Sequence, residues 1–297
     1  MPDHREGNWL SGVFVPVTTN FDRVTGDVAP VTFRENLRYW LSTGLDGLVL
    51  FGSTGEGMLL EPEEKYRLLE YARDLAPAGV PLVAGVGLDS TRATIRQAGE
   101  LARAGADALL VHPPAYYGQW LAPGALVDHF TAIADGSPVP VIIYHIPKYT
   151  KVTLEAGFIA ELVRHPNIAG VKDSSGDLKR LADYSQVCRG ECSLFVGNGT
   201  LLYTALELGA VGGIVAVGLL APKLCVELLA LFRAGRAAEA GRIQERLTPL
   251  HREIVAGAGV PGIKAALEML GLGGGPPRSP LRPLSEKERA HVARTMQ

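Results

Sequence analysis

Short runs of consecutive apolar residues, rich in Val, Ile and Leu, recur along the chain with amphipathic segments between them. A continuous apolar run, rather than an alternating one, is typical of a strand that is buried on both faces. The intervening segments carry helix signals, such as the N-capping pair Ser90-Thr91 and Pro62 in a first helical turn. The pattern therefore predicts eight strands that alternate with helices. The predicted strands are Gly12–Thr18, Leu48–Phe51, Leu82–Gly85, Ala108–Val111, Val141–Tyr144, Ala169–Lys172, Leu194–Val196 and Gly213–Val217.

A small internal repeat supports this alternation, because a helix ends, a glycine follows, and a strand begins shortly afterwards. The repeat occurs as TGLDGLVLFG, AGADALLVHP and LGAVGGIVAV, in which Gly44, Gly105 and Gly209 are the predicted left-handed helix caps. Such an alternation predicts an α/β fold, specifically a (β/α)8 TIM barrel over residues 1–221. An open, doubly wound parallel sheet is the alternative.

The pattern changes after residue 221, where only helical segments remain. Residues 222–297 are therefore predicted to form a C-terminal helical extension packed on the barrel. Its predicted helices are Lys223–Arg233, Ala237–Ala256, Pro261–Leu270 and a last one that begins at Ser285.

Composition and charge exclude several classes of protein. The 297 residues have a formal net charge of −2 and no Lys/Arg run, which argues against nucleic-acid binding. No apolar run reaches the roughly eighteen residues of a membrane span, and the opening MPDHREGNWLSG is not a secretory signal. The three cysteines, Cys188, Cys192 and Cys225, fit a reducing cytoplasm. No neighbouring ligand completes a zinc site around Cys188 and Cys192, so no metal is predicted.

The active site is predicted at the carboxyl ends of the strands, where the active sites of such barrels lie. Lys172 ends an apolar strand, and burial there lowers the pKa of an amine, so that it can form a Schiff base with a ketone. The alternative is that Lys172 begins a solvated loop and pairs with Asp173. Tyr144 ends the preceding strand and is either a proton shuttle beside Lys172 or a core aromatic.

The glycine-rich segment GSTGEG, residues 52–57, follows the second strand and lacks the lysine of a P-loop and the spacing of a dinucleotide fingerprint. Its backbone N–H groups and the hydroxyls of Ser53 and Thr54 are predicted to hold a small anion, best a carboxylate. Glu56 is interpreted as an acid in a first helical turn rather than as a catalytic group.

Taken together, these residues resemble the dihydrodipicolinate synthase / N-acetylneuraminate lyase family of class I, pyruvate-handling aldolases. The resemblance spans nearly the whole chain. Its most specific parts are GSTGE, the YHIP segment at residues 144–147 and GVKD at residues 170–173, in this order and at these spacings.

The resemblance implies a role for each matching position. Lys172 forms the imine with pyruvate, and Tyr144 relays protons. Ser53 and Thr54 hold the 2-oxo acid's carboxylate, with Thr54 also in a hydroxyl relay. The remaining positions are Tyr116 or Tyr117, reaching across from a partner subunit, and Gly197 and Val215, whose backbones line the pocket. It also implies a homotetramer built as a dimer of dimers, with no metal and no cofactor.

The chain departs from the synthase branch after YHIP. Tyr149 stands where that branch has an Arg for the incoming aldehyde's carboxylate, and Lys151 stands where it has a Gly. Lys148 or Lys151 is then either a substitute cation or a surface charge. The segments VKDSSGDL, LGAVGGIVAV and GVPGIKAALEMLGLGGGPPRSPLRPLS, together with Asp173 after the lysine, resemble the 4-hydroxy-2-oxoglutarate aldolase branch more closely.

The predicted function is therefore a Schiff-base aldolase that cleaves a 4-hydroxy-2-oxo acid. The alternatives are, in order, the synthase reaction of pyruvate with aspartate semialdehyde and an aldolase for 2-keto-3-deoxy sugar acids. A non-catalytic regulator that binds 2-oxo acids on the same scaffold is the alternative of another class.

Overall fold

A closed barrel of eight parallel strands forms the centre of the molecule. The structure is a computed structural model that describes residues 9–297, without the side chains of Gln119 and Pro123. Each strand pairs with its neighbour in the sequence, and the eighth pairs with the first. This confirms the TIM barrel and excludes the open sheet. The strands are β1 Gly12–Pro16, β2 Gly47–Leu50, β3 Leu82–Val86, β4 Ala108–Val111, β5 Val141–His145, β6 Ile168–Asp173, β7 Ser193–Val196 and β8 Gly212–Ile214.

Helices follow the strands and cover the outside of the barrel. Gly44, Gly105 and Gly209 have φ values of 84°, 109° and 103°, which confirms the predicted left-handed caps. Ser90 accepts a hydrogen bond from the N–H of Ala93, as expected of an N-cap. The helices of the barrel region are α1 Pro30–Leu41, α2 Pro62–Leu75, α3 Thr91–Arg103, α4 Pro123–Gly136, α5 Pro147–Thr150, α6 Ala156–Leu162, α7 Leu178–Cys188 and α8 Leu202–Leu208.

The eighth strand is shorter than the sequence pattern predicts. It ends at Ile214, and Ala216–Leu219 forms a 3-10 turn instead of continuing the strand to Val217. The N–H of Val215 donates to the Phe14 carbonyl on β1, and the N–H of Gly218 then donates to the carbonyl of Val215. Apolar residues therefore continue past the strand because the turn is itself buried.

Two apolar layers result from the alternation of side chains along the strands. The inner layer fills the barrel, and the outer layer lies between the strands and the helices. The inner layer consists of Leu10, Phe14, Val49, Val83, Ala108, Leu110, Ile142, Tyr144, Ile146, Phe195 and Ile214.

The helices after β8 differ in part from the prediction. The helix Pro222–Arg233 packs against strand β1 and against the following helix, Ala237–Pro249. It therefore closes the ring of helices around the barrel. The predicted helix to residue 256 ends at Pro249, which has no N–H for the helical ladder. Residues Leu250–Ala258 continue as wider π-helical turns, from which His251 accepts a hydrogen bond from the N–H of Gly199. These helices are α9 Pro222–Arg233, α10 Ala237–Pro249, α11 Gly259–Met269 and α12 Glu286–Thr295.

Two further predictions concern the ends and the surroundings of the chain. The prediction that the opening segment is not a secretory signal mostly concerns residues 1–8, which lie outside the described part of the chain. Within residues 9–297, no helix is both long enough and apolar enough to cross a membrane. The division into domains at residue 221 stays a prediction.

Candidate active site

Lys172 and Tyr144 lie side by side inside the barrel. They are paired across β6 and β5, near the carboxyl ends of both strands. The Lys172 side chain is only 3% exposed, and its Nζ lies 4.1 Å from the centre of the Tyr144 ring. The predicted contact between the two side chains is therefore present.

Asp173 and His145 come one residue later on the same strands and point the other way. Successive side chains of a strand face opposite sides of the sheet, so these two lie outside the barrel interior. His145 Nδ1 and Asp173 Oδ1 are 2.7 Å apart, and Asp173 also accepts hydrogen bonds from Ser175. The alternative in which Lys172 begins a solvated loop and pairs with Asp173 is wrong.

Burial tunes the two inward groups. Desolvation lowers the pKa of Lys172 to about 7, because the uncharged amine is the form that an apolar interior favours. Burial raises the pKa of Tyr144. Hydrogen bonds with Ser174 and Ser53 lower it by a smaller amount. At neutral pH the site therefore contains an amine that is partly uncharged and a protonated phenol beside it.

The glycine-rich loop after β2 has fewer free backbone donors than the sequence suggests. The N–H groups of Gly55, Glu56 and Gly57 donate back to carbonyls within the loop. Those of Ser53 and Thr54 donate to no group of the described residues. The loop thus leaves two adjacent N–H groups and two hydroxyls for an anion, and the Ser53 hydroxyl also reaches Tyr144.

Glu56 does not lie in the first turn of a regular helix, so that interpretation is wrong. It has a left-handed backbone with φ 55° and precedes the short 3-10 turn Gly57–Leu59, well before α2. Its buried carboxylate lies 2.5 Å from Lys264 Nζ on α11 and accepts a hydrogen bond from the N–H of Arg278. The sequence does not reveal this pair, because 208 positions separate Glu56 from Lys264.

Gly197 and Val215 frame the site from the neighbouring strands. Any side chain at Gly197 would collide with Ser174 Oγ and lie 3.0 Å from Lys172 Cε. Val215 follows β8 directly, at the same end of the barrel. Ser174, which hydrogen-bonds Tyr144, was not singled out, although its position two residues after Lys172 was a signal.

Tyr116 and Tyr117 lie on the surface of the single chain. They are 79% and 53% exposed, and their rings form an edge-to-face pair with centroids 4.9 Å apart. Neither lines the cavity that contains Tyr144. Their expected contribution from a partner subunit stays a prediction.

A cavity of about 530 Å³ opens beside Tyr144 and Ser53. Most of its wall is apolar, and the C-terminal helices contribute Gly259, Val260 and Pro261 to it. Tyr149 also lines it, whereas Lys148 and Lys151 are exposed and do not. The cavity has two further polar groups, Lys65 and His112, that sequence analysis missed because each looks like an ordinary helix or loop residue.

Comparisons with known proteins match nearly the whole chain and all indicate the same family. The model of the Dihydrodipicolinate synthetase family matches residues 9–297. A 4-hydroxy-tetrahydrodipicolinate synthase of Acidiphilium cryptum is 35% identical over 91% of this chain and 92% of its own. An uncharacterized DapA-like lyase of Halobacterium salinarum is 35% identical over 95% of this chain and 91% of its own. The crystal structure of a prophage protein of the dihydrodipicolinic acid synthase family from E. coli K12, in complex with pyruvate, has 28% identity and a TM-score of 0.91, covering 97% of this chain and 98% of that one.

Proposed function

The chain belongs to the dihydrodipicolinate synthetase family, whose members are class I lyases, and we propose that Lys172 is the residue that forms the Schiff base with pyruvate. The observation on which this rests is the Lys172 amine, which is buried over the Tyr144 ring and has no hydrogen-bond or ion-pair partner among residues 9–297. The N–H groups of Ser53 and Thr54 likewise donate to none of these residues. A 2-oxo acid needs these three features together: a nucleophile for its ketone, a proton donor, and a seat for its carboxylate.

The proposed roles of these residues form a sequence of steps. The uncharged Lys172 amine attacks the ketone carbon of pyruvate while Ser53 and Thr54 hold the carboxylate. The former ketone oxygen takes up one proton from the amine nitrogen and one from Tyr144 and leaves as water, which gives a protonated imine and a Tyr144 phenolate. The phenolate takes a proton from the methyl carbon, and the electron pair left there forms the new bond to the aldehyde carbon. The aldehyde oxygen then takes that proton back from Tyr144. Cleavage follows the same steps in reverse.

The aldehyde partner has two candidates. The first is aspartate semialdehyde, supported by the name 4-hydroxy-tetrahydrodipicolinate synthase of the relatives. The second is glyoxylate, the product of 4-hydroxy-2-oxoglutarate cleavage. It is supported by the departure from the synthase pattern at Tyr149, where that branch has an arginine. Asp173 no longer supports it, because its side chain lies outside the barrel interior.

Trapping tests the assignment. The folded protein is incubated with pyruvate, reduced with borohydride and mapped by peptide mass, with Lys172→Ala as the control. We expect one pyruvate-dependent adduct, on Lys172. No adduct, with Lys172→Ala binding 2-oxo acids as well as the unchanged protein, would instead indicate a regulator. Rates with both aldehydes and with 4-hydroxy-2-oxoglutarate then decide between the two partners. The homotetramer and the cytoplasmic location stay predictions that no structural observation tests.

A further inference from the structure

His145 and Asp173 form a buried pair on the outer side of the barrel wall that the proposed sequence of steps does not use. Their side chains are 0% and 2% exposed. His145 Nδ1 lies 2.7 Å from Asp173 Oδ1, and an ionised carboxylate only accepts, so Nδ1 is the donor. The ring of Tyr184 on α7 packs edge-to-face on the imidazole, with the centroids 5.7 Å apart. Helix α7 therefore separates the pair from solvent.

Stability alone does not explain this pair. The second imidazole nitrogen of His145, Nε2, is buried and has no hydrogen-bond partner among the residues that the structure describes. A buried polar atom without a partner destabilises the folded state. Apolar side chains of similar volume often stabilise a protein as well as a buried pair of this kind does. The pair is better explained by the part of the chain that it holds in place.

Asp173 fixes the chain on both sides of Ser174. Its carboxylate accepts hydrogen bonds from the N–H of Ser175 at 3.1 Å and from the Ser175 hydroxyl at 2.8 Å. Its backbone carbonyl accepts from the N–H of Gly197, at 2.7 Å, and the N–H of Ser174 donates to the His145 carbonyl at 2.9 Å. The backbone around Ser174 is thus tied to β5 on one side and to β7 on the other.

The Ser174 side chain points to the reactive groups and has little room to move. Its hydroxyl forms a hydrogen bond with Tyr144. A Cβ atom at Gly197 would overlap Ser174 Oγ, and the same atom would lie 3.0 Å from Lys172 Cε. Ser174 Oγ therefore occupies the space that the glycine leaves open. A shift of the backbone at residue 173 would move this hydroxyl away from Tyr144.

We propose that Asp173, held by His145, is a positioning residue whose outward hydrogen bonds fix the Ser174 hydroxyl against Tyr144 and so align the proton relay beside Lys172. Asp173 acts from the far face of the strand, and its side chain does not enter the barrel interior. Misplacement of a reacting group by about 1 Å can lower a rate about 10²-fold, so contacts on that face are able to control the reaction. The inference rests on the proposed function, which gives Tyr144 the proton transfer.

Two substitutions at one position test the proposal. Asp173→Ala removes the three side-chain hydrogen bonds. Asp173→Asn keeps them, because its amide oxygen accepts from His145 and from the N–H of Ser175, and its amide nitrogen donates to the Ser175 hydroxyl. We expect Asp173→Ala to lower the maximal rate of imine formation with pyruvate, followed by cyanoborohydride trapping, about tenfold to a hundredfold. Asp173→Asn should recover most of this loss, and the pyruvate concentration that half-saturates trapping should stay unchanged in both variants.

A double variant tests the route from Asp173 to Tyr144. If Asp173 acts through Ser174, Asp173→Ala/Ser174→Ala should be no slower than Ser174→Ala alone, because the second change has nothing left to disturb. The matched control is Asp135→Ala. Asp135 also pairs with a histidine, His165 at 3.0 Å, but it is exposed and lies on α4 shortly before β5 begins. This control should leave the rate unchanged.

Three results would overturn the proposal. One is a rate in Asp173→Ala within about twofold of the unchanged protein, with only the free energy of unfolding lowered. Another is a rate in Asp173→Asn as low as in Asp173→Ala, which would assign the effect to the charge. The third is a double variant that loses the product of the two single losses. If Asp173→Ala does not fold, His145→Phe, which keeps a ring against Tyr184, takes its place. Absence of any adduct on Lys172 in the unchanged protein would instead refute the proposed function.

Discussion

Lys172 and Lys264 are both buried lysines at the same end of the barrel, yet their surroundings are opposite. Lys172 is 3% exposed and faces an aromatic ring, and no acid in the described part of the chain pairs with it. Lys264 is 1% exposed and lies 2.5 Å from the Glu56 carboxylate, with a second bond from its Nζ to the Pro276 carbonyl at 2.8 Å. Burial lowers the pKa of both amines, but Glu56 opposes the effect only at Lys264.

The difference shows what each lysine is suited for. An unpaired buried amine loses its proton easily and becomes a nucleophile. A paired one keeps its proton and holds two parts of the chain together. Here these parts are the Ser53–Thr54 loop, through Glu56, and the C-terminal helices, through Lys264. Arg278 reinforces the same junction, because its N–H donates to Glu56 and its guanidinium binds Glu64.

Substitution of the unpaired lysine should have the largest effect on activity. We expect Lys172→Met to lower kcat by about 10⁴-fold or more, since it removes the covalent nucleophile. The free energy of unfolding should not fall, because the variant removes a desolvated charge and keeps the volume. Steady-state kinetics and urea unfolding measure the two quantities. If the variant retained a tenth of the activity, an amine other than Lys172 would have to form the imine.

Substitution of the paired lysine should reverse this pattern. We expect Lys264→Met to lower the free energy of unfolding by about 3–5 kcal/mol, because Glu56 would remain as an uncompensated buried charge. The double variant Glu56→Gln/Lys264→Met should recover much of that loss, and the exposed Lys287→Met should change nothing. Urea unfolding of the four proteins is the measurement. Equal stability of Lys264→Met and the unchanged protein would show that the pair is not formed in solution.

Tyr144→Phe keeps the ring under Lys172 and removes only the hydroxyl. We expect kcat to fall about 10²-fold or more, the usual contribution of a positioned acid–base group. Pyruvate should still be trapped on Lys172, more slowly, because the amine and the loop are intact. Single-turnover trapping separates the two effects. A kcat within twofold of the unchanged protein would leave Tyr144 as a packing residue only.

The barrel and the Lys172–Tyr144 contact could be predicted because they depend on local signals. Apolar runs mark the strands, and neighbouring parallel strands bring their ends together. The Glu56–Lys264 pair could not be predicted in this way, since it joins residues from opposite ends of the sequence. The inward direction of Lys172 and the outward direction of Asp173 also needed the register of β5 and β6, which decides the face of every side chain.

The pH dependence of imine formation should reflect the lowered pKa of Lys172, about 7. Below pH 7 the rate should rise about tenfold per pH unit, as the reactive uncharged amine increases, and it should level off above pH 7. Tyr144 stays protonated in this window because burial raises its pKa. Trapping with cyanoborohydride from pH 5 to 9 tests this. A rate that keeps rising beyond pH 9 would match an ordinary, solvated lysine.

Stability should depend on pH through the same group, with a definite sign. The unfolded chain binds a proton at Lys172 up to about pH 10.5, whereas the folded chain has lost it above about pH 7. Since the unfolded state binds more protons between these values, this lysine makes the free energy of unfolding increase from pH 7 to 10.5. The difference between the unchanged protein and Lys172→Met, measured by urea unfolding across this range, isolates that contribution. A pH-independent difference would contradict it.

The smallest expected effect concerns the exposed pair Tyr116 and Tyr117, which should act at the unpaired lysine of another subunit. We expect Tyr117→Phe or Tyr116→Phe to lower kcat about tenfold, the low end of what a proton relay contributes. If the tyrosine crosses between subunits, refolding that variant together with inactive Lys172→Met should produce some sites with both residues intact. The mixture would then exceed the mean activity of its two components. Activity equal to that mean would place the tyrosine and the lysine in one chain, or leave the tyrosine outside the reaction.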